Sequence, residues 1–330
     1  MKNKMHVLIF INKVLPVTAY GGTERVAWYL AKELAQQGCE VTFLAAQGTT
    51  CPFANVIVFN PERDINEQIP ASVDIVHLNA PFATPIDKPT LLTCHGNLTS
   101  LVQHPNMVFV SKNHAARYGS QSFVYNGLDW DDYGAVNLSA PRSYFHFLGK
   151  AAWRVKNVAG AIAVVKALPG ERLMVLGGHR CNLKMGFRLT LSPKISFKGM
   201  VGGQKKIQLL QGSKGLIFPV KWDEPFGLAI TESLYMGAPV FGTPYGALAE
   251  LVTPEVGFLT NKASEMVEHL KNDYAYSPRV CHEYARDCFN AKVMAVGYLK
   301  KYEQILNGEV LNPTPLRVID TGMKRPWFPS

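Results

Sequence analysis

The chain has 330 residues, a formal net charge of +9, 47% hydrophobic and 18% charged residues, a profile that can bury sizeable cores and excludes wholesale disorder. No run of 18 or more apolar residues occurs, which excludes a membrane-spanning helix. The basic excess is one-sided: residues 1–140 hold nine Lys and Arg against eleven Asp and Glu, and residues 141–330 hold twenty-five against fourteen. The second half is therefore the one expected to meet an anion such as phosphate, nucleic acid or an acidic membrane, although a solvated basic surface gives the same balance.

In chain order, the opening Met1–Asn12 has too short an apolar stretch for a signal peptide and reads as a first strand. The six cysteines form no C-x-x-C pair or framework, so reduced thiols and a cytoplasmic location are expected. Strands are predicted at 6–11, 41–45, 56–59, 74–78, 90–93, 107–110 and 123–125. A helix over 23–37 carries Val26, Leu30 and Leu34 on one stripe, with Gly38 past its end. Strands that are continuously apolar fit a parallel sheet covered on both faces. The pattern restarts after a polar stretch, 129–142, with strands at 144–148, 172–176, 195–197, 215–218 and 239–242. Helices lie between them at 158–167, 204–211 and 227–236, and three more close the chain near 262–271, 278–288 and 291–306. Two βα series imply two doubly wound α/β domains, with ligands at the carboxyl ends of their strands. The division is placed at 1–138 and 139–306, followed by a Pro-rich, aperiodic tail over 307–330.

Three segments carry chemistry. Gly21-Gly22-Thr23 follows the first strand; paired glycines permit close backbone approach to an anion at a helix N-terminus, and equally suit a tight turn capped by Thr23. Lys150, Arg154 and Lys156 gather between a strand and a helix, where a diphosphate would sit, although a solvated basic loop also fits. Glu224-Pro-Phe-Gly-Leu-Ala-Ile-Thr-Glu232 reads as a loop entering a helix, with Pro225 suited to the first helical position. The N–H groups of Phe226, Gly227 and Leu228 can take phosphate, and the carboxylates can accept hydrogen bonds from sugar hydroxyls; a capping acid and a surface acid form the plain alternative. His95 stands at a strand's carboxyl end, and Trp222 either walls a pocket or covers the core. Glycine-rich dinucleotide, Walker, G-x-S-x-G and H-E-x-x-H motifs are absent, and no metal-ligand spacing occurs.

Together these residues resemble the retaining GT-B glycosyltransferases of glycosyltransferase family 4. The resemblance rests on Gly21-Gly22-Thr23-Glu24-Arg25-Val26, Asp74-Ile-Val-His77, Thr93-Cys-His95-Gly96, Asn126-Gly127-Leu128-Asp129 and Gly149-Lys150 with Lys156. Most specific is the run from Ile217-Phe-Pro219 through Glu224-Pro-Phe-Gly-Leu and Glu232 to Gly237-Ala-Pro-Val-Phe-Gly and Gly246-Ala-Leu-Ala-Glu250. Lys150 stands where the family usually has Arg, so that role is open between Lys150 and Arg154.

The resemblance implies two Rossmann-like domains facing across a cleft and transfer of a hexosyl group from a nucleoside diphosphate sugar to an acceptor hydroxyl on a glycan, lipid-linked glycan or small molecule, with retention. No cofactor and no metal are expected. It implies Glu224 and His95 at the transferred sugar, Lys150, Arg154 and Lys156 at the diphosphate with Gly21 and Gly22, Glu232 at the ribose, and backbone at Gly177, Met200 and Val201 around the base. A nucleotide-sugar epimerase of the same architecture is the alternative enzyme. A basic nucleic-acid or membrane-surface protein is the non-catalytic one, against which the absence of aromatic–basic interleaving counts. Nucleic acid is not an expected partner; peripheral contact with an anionic membrane is.

Overall fold

The computed structural model describes residues 4–17, 21–183, 185–272 and 275–328. The described residues form two compact units, one from residues 4–17, 21–129 and 289–321, the other from those within 130–288 and 322–328. This departs from a linear division at 138/139: the last long helix, assigned by sequence to the second domain, belongs to the first unit.

In the first unit, β1 (His6–Ile11), β2 (Glu40–Ala45), β3 (Asn55–Val58), β4 (Ile75–Leu78), β5 (Thr90–Cys94) and β6 (Met107–Phe109) form one parallel sheet, ordered β3-β2-β1-β4-β5-β6. All of β1 and β4 is buried, as the uninterrupted apolar runs require. Helix α1 (Gly22–Gln36) follows β1, and α2 (Lys112–Ala116) follows β6. The predicted strand at 123–125 is reduced to one bridge, Phe109 with Phe123.

The second unit repeats the topology. Strands β7 (Tyr144–Leu148), β8 (Leu173–Leu176), β11 (Ile195–Phe197), β12 (Ser213–Phe218), β13 (Val240–Gly242) and β14 (Gly257–Leu259) are parallel, in the order β11-β8-β7-β12-β13-β14. Helices α3 (Val158–Lys166), α4 (Gly203–Gln211), α5 (Leu228–Tyr235), α6 (Leu248–Leu251), α7 (Ala263–Lys271) and α8 (Pro278–Cys288) accompany them. A short antiparallel ribbon of β9 (Cys181–Asn182) and β10 (Arg188–Leu189) stands apart from the sheet. Each sheet places its first and fourth strands side by side, so chain connections leave in opposite directions there. Such a switch point opens a crevice at the carboxyl ends of the strands.

Helix α9 (Ala291–Leu306) packs on α1 and β5 of the first unit. Its Tyr302 hydroxyl lies 2.6 Å from His77 Nδ1, and its Tyr298 hydroxyl 3.0 Å from Thr93 Oγ1, which in turn is 2.8 Å from His77 Nε2. His77 thus sits fully buried on β4 with both ring nitrogens paired; burial pushes its pKa down to about 3.

Candidate active site

Lys156 and Glu224 meet at the switch point of the second unit, one leaving β7 and the other β12. Lys156 Nζ donates to both carboxylate oxygens of Glu224, at 2.8 and 2.6 Å, and both residues are buried. Trp222 Nε1 donates to Glu224 Oε2 at 2.8 Å, and Lys156 Nζ lies 4.9 Å from the Trp222 ring centroid and 5.2 Å from that of Phe218. The ammonium is thus boxed by a carboxylate and two aromatic rings. Trp222 both walls the site and orients the acid.

Local structure explains how each arrives. Asn157 adopts a left-handed conformation, φ 54°, and caps α3 by accepting from Gly160 N at 3.1 Å. Its Nδ2 donates to Pro219 O at 2.8 Å, and Lys221 N donates to Val155 O at 2.7 Å, so the loops after β7 and β12 are tied together. Gly246 touches the other flank of Glu224. Its φ is +62°, and a Cβ there would stand 2.3 Å from Glu224 N, so only glycine fits. Ala247 N then donates to Glu224 O at 2.8 Å.

Helix α5 begins at Leu228 with Gly227 as N-cap, φ 88°, and no side-chain cap. Pro225 therefore precedes the helix instead of occupying its first position, because the glycine's left-handed backbone delays the helix start by three residues. The uncapped first turn still points N–H groups of the Gly227–Leu228 segment out of the carboxyl end of the sheet.

Glu232, one turn into α5, is buried. It accepts from Lys206 Nζ of α4 and from the Tyr133 hydroxyl, and Lys206 Nζ stands 5.4 Å from the Tyr133 ring centroid. Each signature glutamate therefore has its own lysine. Lys206 and Tyr133 carry no local sequence signal: they lie 26 and 99 residues from Glu232.

Beside this pair, Gly149 and Gly177 bring the ends of β7 and β8 into backbone contact. Ala151 N donates to Gly177 O at 2.6 Å, and a Cβ on Gly177, φ +133°, would lie 2.0 Å from Gly149 O. Met200 and Val201 follow β11, the next strand in the sheet, so Gly177, Met200 and Val201 do fall along one rim. Lys150 is exposed, its Nζ 5.5 Å from the Trp153 ring centroid. Arg154 Nε donates to Met185 O at 2.6 Å, which directs the guanidinium to the β9–β10 turn.

In the first unit, Gly21 is the N-cap of α1, which starts at Gly22, so Thr23 lies inside the helix and does not cap it. His95 follows β5, and its Nε2 lies 2.8 Å from Asn79 Oδ1 at the end of β4; Asn79 Nδ2 donates to Phe10 O of β1 at 3.2 Å. An amide oxygen accepts only, so Nε2 carries the proton and Nδ1 is a lone pair. Burial pushes the His95 pKa down to about 4, which keeps the imidazole neutral at pH 7. Asn79, the residue that fixes this tautomer, has no motif around it in the sequence.

Residues 142–273 match the model of the family described as Glycosyl transferases group 1. Among solved structures, the chain is similar to AviGT4, a glycosyltransferase involved in avilamycin A biosynthesis, with 22% identity, TM-score 0.75, and coverage of 92% of this chain and 98% of that one. It is also similar to sucrose-phosphate synthase from Thermosynechococcus elongatus, with 15% identity, TM-score 0.72, and coverage of 93% and 100%. Anabaena HepE in complex with UDP and glucose matches at 14% identity, TM-score 0.65, covering 91% and 99%. A trehalose synthase from Pyrococcus horikoshii is 28% identical over 107 residues, which are 31% of this chain and 26% of that protein. The fold is the two-domain α/β GT-B fold of these glycosyltransferases.

Proposed function

We propose that the protein is a retaining glycosyltransferase that moves a hexosyl group from a nucleoside diphosphate sugar to an acceptor hydroxyl, without a divalent metal. The observation that carries this reading is the buried Lys156–Glu224 pair at the switch point of the second sheet, within the segment that matches the glycosyl transferase model. The complexes of HepE with UDP and glucose and of starch synthase IV from Arabidopsis thaliana with ADP and acarbose are consistent with a nucleotide donor.

The chemistry follows from the charges. An ammonium donates three hydrogen bonds; two of those of Lys156 are held by Glu224, and the third is left for a phosphate oxygen. As the diphosphate departs, its growing negative charge meets Lys156, Lys150 and the N-terminus of α5, in a setting fixed before the reaction starts. Glu224, held by Lys156 and Trp222, accepts from hydroxyls of the transferred sugar, and Glu232 accepts from the ribose. The base lies along Gly177, Met200 and Val201. Gly21 and Gly22, with the N-terminus of α1, serve the diphosphate, and His95 the transferred sugar or the acceptor.

The test is a thermal-shift screen over UDP-, GDP-, ADP- and CMP-sugars, since a ligand that binds the native state raises its apparent stability. Proton NMR of the product anomer with the best donor follows. Stabilisation by one nucleotide sugar, transfer with retention and activity undiminished by EDTA are expected. Conversion of the donor alone, inversion, or EDTA-abolished activity restored by manganese would each overturn the corresponding part.

A further inference from the structure

Between β8 and β11 the chain makes a ribbon whose apolar face is turned outward. From Cys181 to Pro193 the odd-numbered residues are all exposed, and the described even-numbered ones are partly or fully covered. The odd set includes Leu183, Met185, Phe187, Leu189 and Leu191, with exposures of 76, 58, 72, 52 and 80%. Register pairs Cys181 with Leu189 and Asn182 with Arg188, so within the strands the exposed pair takes one face and the partly covered pair the other. A ribbon that needed only to cover its own domain would have the reverse pattern, and an apolar patch of this kind marks a contact surface.

The polar face is held firmly. Arg180 donates to Thr190 O and Ser192 O, both at 3.1 Å, and to Ile195 O at 2.5 Å. Arg188 donates to Thr190 Oγ1 and His179 O, its guanidinium 4.8 Å from the Phe197 ring centroid, and Arg154 secures the turn at Met185 O. Lys194 donates to Lys166 O and Leu168 O. These partners are neutral, so they orient the cations without cancelling their charge. The surrounding sequence is also basic: residues 172–222 contain ten Lys and Arg and no Asp or Glu, with Lys206 and Lys214 paired to Glu232 and Glu171 from outside this stretch.

We infer that this ribbon docks the protein on an anionic phospholipid surface, its five large apolar side chains entering the interface and the cations beneath them meeting the lipid phosphates. Apolar burial and attraction to anionic headgroups are the two contributions that hold interfacial elements on bilayers. The ribbon's own cations, Arg154, Arg180, Arg188 and Lys194, bonded to neutral groups, select a negative surface over a second copy of this chain, whose ribbon would be equally positive. Four aliphatic side chains against the single exposed ring of Phe187 select lipid over polynucleotide, which needs a series of stacking aromatics. The inference concerns a surface remote in sequence from Glu224 and Glu232 and stands independently of the proposed reaction.

The experiment is co-sedimentation of the full chain with phosphatidylcholine vesicles and with mixed phosphatidylcholine–phosphatidylglycerol vesicles. Binding to the anionic vesicles at low salt, weakened at high salt, is expected. Phe187→Ser with Leu191→Ser should weaken it roughly ten- to a hundredfold, while circular dichroism and Tm stay unchanged because both side chains already face solvent. Equal recovery with both vesicle types, or unchanged binding by the double variant, would overturn the proposal. So would concentration-dependent self-association that the double variant removes without any vesicle binding, or displacement from vesicles by polynucleotide.

Discussion

In the proposed reaction Lys156 has two roles that one substitution would confuse. Lys156→Ala removes charge from the departing diphosphate, and it also leaves the buried Glu224 carboxylate without its counter-charge. Losing one preorganised donor costs about 2.7–4 kcal/mol of transition-state stabilisation, so turnover should fall roughly 100- to 1000-fold. Breaking a buried pair on one side costs about 3–5 kcal/mol of stability. The double variant Lys156→Met with Glu224→Gln separates the two, because it removes both charges together. It should regain much of the lost stability in urea titration and none of the turnover; recovered turnover would mean the pair is structural. Glu232 needs the same care. Ala there would strand Lys206, so Glu232→Gln is the informative change: it keeps an acceptor for Lys206 and Tyr133 but would weaken the charge-assisted bonds proposed to the donor's ribose. These are worth about 1.5–3 kcal/mol, so donor KM should rise roughly ten- to a hundredfold with turnover at saturating donor nearly unchanged. A fall in turnover with KM constant would place Glu232 in the chemistry instead of in binding.

The elements that present these residues were readable to different degrees. Strands with uninterrupted apolar runs, β1, β4, β7 and β12, fall within two residues of their expected positions, because burial on both faces imposes a strong local pattern. The Glu224 loop and the Lys156 loop stand out by residue type and position after a strand, and the structure brings them together. Their coupling was not, since Asn157, Lys206, Tyr133 and Asn79 act across tens of residues through single side chains. The final segment is the clearest case. Read as an aperiodic tail, residues 322–328 instead return to the second unit, where Gly322 O accepts from Asp223 N at 2.7 Å and Arg325 N donates to Lys221 O at 2.9 Å. Arg325 Nε lies 3.0 Å from both oxygens of the buried Asp223, the residue next to Glu224. Arg325→Ala should therefore lower Tm by several degrees and reduce turnover by misplacing Glu224, since small displacements at a reacting centre cost rate. Arg325→Lys should restore only part of both, because an ammonium lacks the two-pronged guanidinium geometry. An Arg325→Ala protein with unaltered kcat would sink the idea that the tail holds the Glu224 loop.

At the scale of the whole molecule, the distribution of buried histidines makes the two units respond differently to acid. His77, His95 and His114 lie in the first unit, with pKa values pushed by burial to about 3, 4 and 3. His146, between Ser213 and Ser233 at 2.6 and 2.8 Å, is the counterpart in the second unit, also near 3. Burial also lowers His104 in the first unit and His269 in the second, one on each side. In every case the folded pKa lies below the unfolded value near 6.5, so between the two it is the unfolded chain that binds more protons. Stability from these groups is whole above about pH 6.5 and drains as pH falls towards 4, by up to about 1.4 kcal/mol per pH unit for each histidine. Three strongly shifted groups against one imply that the first unit loses stability faster. Hydrogen exchange followed by mass spectrometry at pH 7.5, 6 and 5 should show β1, β4 and β5 amides losing protection before those of β7 and β12. His77→Gln should narrow that gap, because glutamine can reach Thr93 or Tyr302 without a proton to gain. Simultaneous loss of protection in both sheets, or earlier loss in the second, would show that other titrating groups govern the acid response.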